Sequence, residues 1–122
     1  MTWFLLVVAA LHAAFMLCEL LPWSFPIVLR VASRKLPEAH HGKQWTDLQQ
    51  PLVVAIVHNA GIYNAILVGG FLWSAWMGLP ARHFAQVLLA GVTLAGVFGT
   101  ATLKSPVTAL QALMGVVGLF LV

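Results

Sequence analysis

The chain has 122 residues, of which 61% are hydrophobic and 7% charged, and a net charge of +3. A soluble domain carries about a quarter charged residues; the six Lys or Arg and three Asp or Glu present here are too few to coat a globule of this size, so a soluble module is excluded and a multi-pass membrane protein is expected, in line with a mean hydropathy of +0.97. The pI near 9.6 does not point to nucleic acid, because the basic residues are spread over three loops with no cluster of cations and aromatics, and they read instead as orientation signals.

The lone cysteine, Cys18, rules out an intrachain disulfide. It follows Phe15-Met16-Leu17 rather than small residues, which argues against a lipoprotein, and Met1 to Phe4 contains no Lys or Arg, which argues against a cleaved signal peptide. The first apolar run, residues 2–21, is therefore expected as a retained helix of about 20 residues, enough to cross a ~30 Å hydrocarbon core. It holds His12 and Glu19, seven positions apart and so on one face, and Trp3 and Trp23 bracket it like an interfacial belt.

The only long loop, residues 24–50, opens on an apolar stretch, Phe25 to Ala32, fit for an interfacial segment. It continues with Arg30, Arg34, Lys35, Glu38, His40, His41, Lys43 and Asp47. His40 and His41 are adjacent with no evident third ligand, so a solvated loop is expected there rather than a metal site. A second helix, 51–77, opens on Pro51, where the missing N–H does no harm. The Gly78-Leu79-Pro80 turn leads to a third helix, 82–103, and Lys104-Ser105-Pro106 to a short fourth, 107–122, interrupted only by Gln111. Gly61, Ala65 and Gly69 form a small-residue stripe on the second helix and Gly91, Ala95 and Gly99 one on the third, which predicts that these two helices pack on each other. The expected fold is all-α, a single four-transmembrane-helix bundle.

Lys and Arg concentrate on the first and third loops (Arg30, Arg34, Lys35, Lys43, Lys104) against Arg82 on the other side. This places those loops in the cytoplasm and both termini outside, in a bacterial inner membrane. Within the second helix His58, Asn59, Tyr63 and Asn64 fall within seven positions. Hydrocarbon offers such groups no hydrogen-bond partner, so they must face protein, cofactor or water. Counting ~1.5 Å per residue from each helix's cytoplasmic end puts Glu19 near ~6 Å, His58 near ~10 Å, Thr100 and Gln111 near ~6–8 Å, and His12, Tyr63 and Asn64 toward ~16–20 Å. The expectation is a shared polar pocket in the cytoplasmic half. Interhelical glue is the plainer role for Gln111 and for the Asn59–Tyr63 pair, and backbone bonding for Thr100 and Thr102.

His12-x-x-Phe15-x-x-x-Glu19 followed by Trp23, then Asn59-x-Gly61-Ile62-Tyr63-Asn64, then Ala95-Gly96-x-x-Gly99-x-x-Thr102, then Gln111, resemble the domain-of-unknown-function 1304 family of small bacterial four-helix membrane proteins. The likeness runs over nearly the whole chain, in order. The family usually reads Asn-Gln-Gly-x-Tyr-Asn-Gly; Ala60 replaces the glutamine here and Ala65 the last glycine. This resemblance implies the fold and the pocket, not a reaction. A second likeness, carried by His58 preceding Asn64 by six positions, is to styrene oxide isomerase, a membrane enzyme that uses haem b iron as a Lewis acid on an epoxide.

The leading expectation is therefore an intramembrane pocket for haem b or a small lipophilic molecule, with an isomerase activity on an epoxide-like substrate. His58 would be metal ligand or general base, with Asn59 and Gln111 beside the cofactor. Tyr63 and Asn64 would polarise an oxygen, and Glu19 with His12 would handle protons. Two rivals stand beside it: a small proton-coupled multidrug-type transporter using Glu19, and a structural or accessory subunit of a membrane complex. Contact with membrane lipid and a homo-oligomer, dimer or trimer, are expected of so small a bundle.

Overall fold

A computed structural model describes residues 1–21 and 49–122. Trp23, the segment Phe25 to Ala32, the His40-His41 pair and the loop cations Arg30, Arg34, Lys35 and Lys43 lie outside the described residues. Within them the protein is all-α, with helices α1 (Thr2–Leu20), α2 (Gln49–Met77), α3 (Arg82–Leu103) and α4 (Pro106–Leu121). Three spans, Thr2–Leu20, Pro51–Met77 and Leu79–Leu103, are long and apolar enough to cross a membrane. The chain is thus a membrane protein whose apolar helices meet lipid. The 16 residues of α4 reach about 24 Å, short of a full ~30 Å crossing.

Local chemistry sets the helix ends. No Gly or Pro interrupts α1. In α2 Pro51 sits in the first turn, where its missing N–H takes no bond away. Gly78 ends that helix at φ 68°, a left-handed conformation that glycine adopts without strain, and its N–H still reaches the Ser74 carbonyl at 3.0 Å. A 3₁₀ turn, Leu79–Ala81, then redirects the chain into α3. Lys104 closes α3 in the left-handed region and donates its N–H to Thr100 O at 3.0 Å. Ser105 caps α4, its Oγ accepting from the Val107 N–H at 3.3 Å, with Pro106 at the first helical position.

The chain divides into two compact units, one of residues 1–12 and 66–122, the other of residues 13–65. The first is itself a four-helix bundle. Its core joins Phe4, Leu5, Val8 and Ala9 of α1, Phe71 and Ala75 of α2, Ala85, Leu89 and Val92 of α3, and Val122 just past α4. The α3–α4 seam is built on glycine: a Cβ added at Gly96 would meet Ala112 Cα at 2.7 Å, and one added at Gly99 would meet Thr108 Cγ2 at 2.7 Å. Gly118 faces Leu89 and Phe4 in the same way. Removing the side chain lets backbones approach closely, which is what drives helix association where lipid is as apolar as leucine.

This corrects the expectation that the Gly61-Ala65-Gly69 and Gly91-Ala95-Gly99 stripes join the second and third helices. Gly69 and Gly91 have nothing within 4 Å, Gly61 faces Leu20 and Glu19 of α1, and Gly99 faces α4. In the bundle α2 meets α3 through Gly70 against Leu88 and Phe84 and through the edge-on Trp73–Phe84 ring pair at 5.4 Å. A four-residue repeat advances about 40° around a helix at each step, so a stripe of three small residues does not stay on one seam. The seam in use pairs Gly96 with Gly99, and Gly115 with Gly118, at a spacing of three.

Candidate functional site

In the unit of residues 13–65, Gly61 is the buried point of α2. Without a side chain it admits the end of α1: Leu20 Cγ lies 2.7 Å and Glu19 Cβ 3.1 Å from where its Cβ would be. One turn further along α2, on nearly the same face, Asn64 Nδ2 donates to Glu19 Oε2 at 2.7 Å. Both side chains are half-buried. A short bond to an ionisable oxygen is stronger than one between neutral groups. It leaves Oε1 of the carboxyl and Oδ1 of the carboxamide as acceptors for an occupant.

The pairing corrects the depths assigned by counting. Glu19 and Asn64 are bonded, so they cannot lie ~10 Å apart in the membrane. Counting from each helix's own end assumes that the ends are level, whereas α1 has 19 residues and α2 has 29. Asn64 stands thirteen residues from each end of the Pro51–Met77 span, and Glu19 is beside it. The carboxyl, next to last in α1, therefore lies alongside the middle of the longest apolar helix.

His58 belongs to the same unit, half-buried on α2 about 9 Å along the axis from Asn64. Tyr63 is 62% exposed and Asn59 is exposed as well, on a different side of α2 from the one that meets Glu19. In the other unit His12 is fully buried in the bundle core, its Nδ1–H donating to Val8 O at 2.9 Å and its ring 5.8 Å from that of Phe71. Gln111 is half-buried on α4. Thr100 donates to Gly96 O at 2.7 Å and lies 3.2 Å from Thr108 Oγ1, while Thr102 donates to Phe98 O at 2.8 Å. Of the polar residues singled out from the sequence, the structure thus brings Glu19 and Asn64 together directly, with His58 in the same unit.

Two further features lie outside the polar pocket expected from the sequence. Ser74, fully buried, donates to Gly70 O at 2.8 Å and so needs no partner on another helix. An apolar groove of about 360 Å³ runs between α3 and α4, lined by Val97, Thr100, Ala101, Ala109 and Ala112. The alanines could have announced it, since they leave the space that larger residues would fill. Among the described residues no three His, Cys, Asp or Glu side chains gather as a metal site would require.

No curated protein and no solved structure matches the chain. The family described as "Protein of unknown function (DUF1304)" matches it over residues 6–122. That match takes in most of α1, the other three helices and both halves of the Glu19–Asn64 pair, and the chain belongs to the DUF1304 family.

Proposed function

We propose that this protein binds a small lipophilic molecule inside the membrane, with the Glu19–Asn64 pair as its polar anchor. The observation that carries this reading is the 2.7 Å bond from Asn64 Nδ2 to Glu19 Oε2 at the centre of a 27-residue apolar span. A carboxylate at that depth is costly unless a proton or a cation neutralises it. Asn64 holds one oxygen in place, and the other is left to meet the occupant. The ligand class that fits is a hydrophobic body bearing a cationic or strongly hydrogen-bonding group. Competition between a proton and such a ligand for one carboxyl is also the elementary step of an exchanger, so transport is the natural extension of binding. Tetraphenylphosphonium binding to the purified protein tests the reading: Glu19→Gln lowers affinity at least ~10-fold, a loss of about 1.4 kcal/mol, and unchanged affinity overturns it. Uptake into vesicles driven by a proton gradient separates exchange from binding alone.

A second reading places haem b at His58. The half-buried imidazole on α2 is the donor chemistry that haem iron takes. Haem held there by one histidine would supply a Lewis acid for an epoxide-like oxygen. His58 would fix its position, and Asn64, in the same unit, would orient the substrate oxygen. A Soret band in the purified protein that disappears in His58→Ala supports this reading, and a colourless, metal-free protein ends it. The excess of Lys and Arg on loop 24–50 and at Lys104 over Arg82 supports a bacterial cytoplasmic membrane protein with those loops in the cytoplasm and both termini outside. Labelling of a cysteine added at either terminus by an impermeant reagent on intact cells checks that orientation.

A further inference from the structure

One face of α2 carries a pattern that the Glu19–Asn64 site does not use. Leu52, Ile56, Asn59, Tyr63 and Ile66 follow one another at spacings of four, three, four and three. That alternation keeps residues on a single seam between two helices wound left-handedly about each other. All five are exposed: Leu52 and Ile66 by 61%, Ile56 and Tyr63 by 62%, with Asn59 between them. Only 6% of the most apolar window in Pro51–Met77 is buried, against 28% for α1. Exposed leucine and isoleucine are at home in lipid. A carboxamide and a phenol are not, and no described residue hydrogen-bonds either side chain.

We infer that this face of α2 pairs with the same face of a second copy of the chain, parallel and about a twofold axis along the membrane normal. The occupant is argued from complementarity of charge. A carboxamide has a positive N–H end and a negative C=O end, so two copies of Asn59 facing each other across such an axis satisfy one another. A ligand without matching donors and acceptors does not do this, and neither does lipid. Copies inserted with one topology are parallel, and in a parallel pair each seam residue meets its own counterpart. Asparagine at a single seam position is also the residue that fixes register in paired helices. Tyr63, one turn along, then has its hydroxyl within reach of the facing carboxamide.

Cysteine cross-linking in lipid bilayers, on the full chain with Cys18→Ala to leave one thiol, tests the inference. Oxidation of Ile56→Cys and of Ile66→Cys converts most chains to covalent dimers. The same change at Leu94, 71% exposed on α3, gives at least ~5-fold less. Adding Asn59→Leu to Ile56→Cys lowers the dimer yield at least ~5-fold, and Asn59→Gln restores it. Equal cross-linking at position 94, indifference to Asn59→Leu, or single-step photobleaching of labelled chains in dilute bilayers each overturns the pairing. So does an intrachain disulfide in Ile56→Cys with Val28→Cys, which would make the 24–50 segment the occupant. The inference is independent of ligand binding at Glu19, because cross-linking reads the Asn59 face and tetraphenylphosphonium binding reads the carboxyl.

Discussion

The two units of the chain handle their polar groups in opposite ways. In the bundle of residues 1–12 and 66–122, nearly every buried or half-buried polar side chain turns back on its own helix. His12 bonds Val8 O, Ser74 bonds Gly70 O, Thr93 bonds Leu89 O and Thr100 bonds Gly96 O, each four residues earlier. Each of these bonds forms before any helix meets another, and the surrounding packing is apolar. In the unit of residues 13–65, Glu19 and Asn64 are 45 positions apart and satisfy each other only if α1 and α2 come together. Among its described residues Gly61 alone is buried. One unit is a folding core that tolerates polar atoms; in the other, the described polar atoms meet across two helices.

If that contrast is right, the largest damage comes from filling the bundle's glycine seam. Gly96→Leu drives a side chain into the backbone and side chain of Ala112, where nothing flexible can yield. Overpacking costs typically 1–3 kcal/mol and more where backbone must move, so the expected outcome is about 3 kcal/mol or greater, seen as loss of the monodisperse peak on size-exclusion chromatography in detergent. The same substitution at Gly69 or Gly91, with open space around each, leaves that peak in place. Next comes Phe71→Ala, which opens a cavity at a fully buried core position. In water this change costs about 3–5 kcal/mol. In a membrane the transfer part largely vanishes, because lipid is as apolar as the core. A loss of about 1–3 kcal/mol, read from the unfolding midpoint in mixed micelles, is therefore expected, all of it from packing.

The fold was legible because it depends on length and hydropathy. Four apolar runs separated by Pro51, Gly78 to Pro80 and Lys104 to Pro106 leave little choice of element, and the helices follow. The contacts were less legible. Three small residues in a row mark where backbones can approach, not where they do, so the Gly61 and Gly99 stripes were given to the wrong neighbours. Glu19 and Asn64 each stood out as polar residues in apolar runs, but their bond did not, because it depends on how far α2 extends past the end of α1. His12 and Glu19, seven positions apart on α1, read as a proton-handling pair. The structure instead gives His12 a backbone carbonyl and a place among Phe71 and its neighbours, in the other unit. Spacing places residues on a face of a helix but does not say which neighbour that face meets.

A smaller effect on stability, paired with a larger one on function, is expected from Asn64→Leu. Hydrogen bonds between membrane helices average about 0.6 kcal/mol, so the unfolding midpoint should shift by less than half the change seen for Phe71→Ala. Tetraphenylphosphonium affinity should nonetheless change several-fold, because Glu19 loses the donor that orients it. A large stability loss with unchanged binding would reverse the division of labour between the units.

The smallest effect is expected at Ser74→Ala. Ser74 is as buried as any residue in the protein, and in a soluble core, loss of a buried hydroxyl hydrogen bond costs about 0.5–1.5 kcal/mol. Here the hydroxyl bonds the Gly70 carbonyl at 2.8 Å, and that carbonyl is already an acceptor within the helix: the Ser74 N–H stands four residues on. Removing the hydroxyl therefore strands no donor and no acceptor, and alanine is the better helix former. The two terms nearly cancel, so the unfolding midpoint should move by no more than about 0.5 kcal/mol in either direction. Asn64→Leu differs in kind, because it leaves Glu19 Oε2 without its donor, and a partner abandoned at depth is what makes a polar deletion costly. If Ser74→Ala proves more damaging than Asn64→Leu, then the bundle's polar atoms are not self-satisfied, and burial rather than pairing sets the cost in both units.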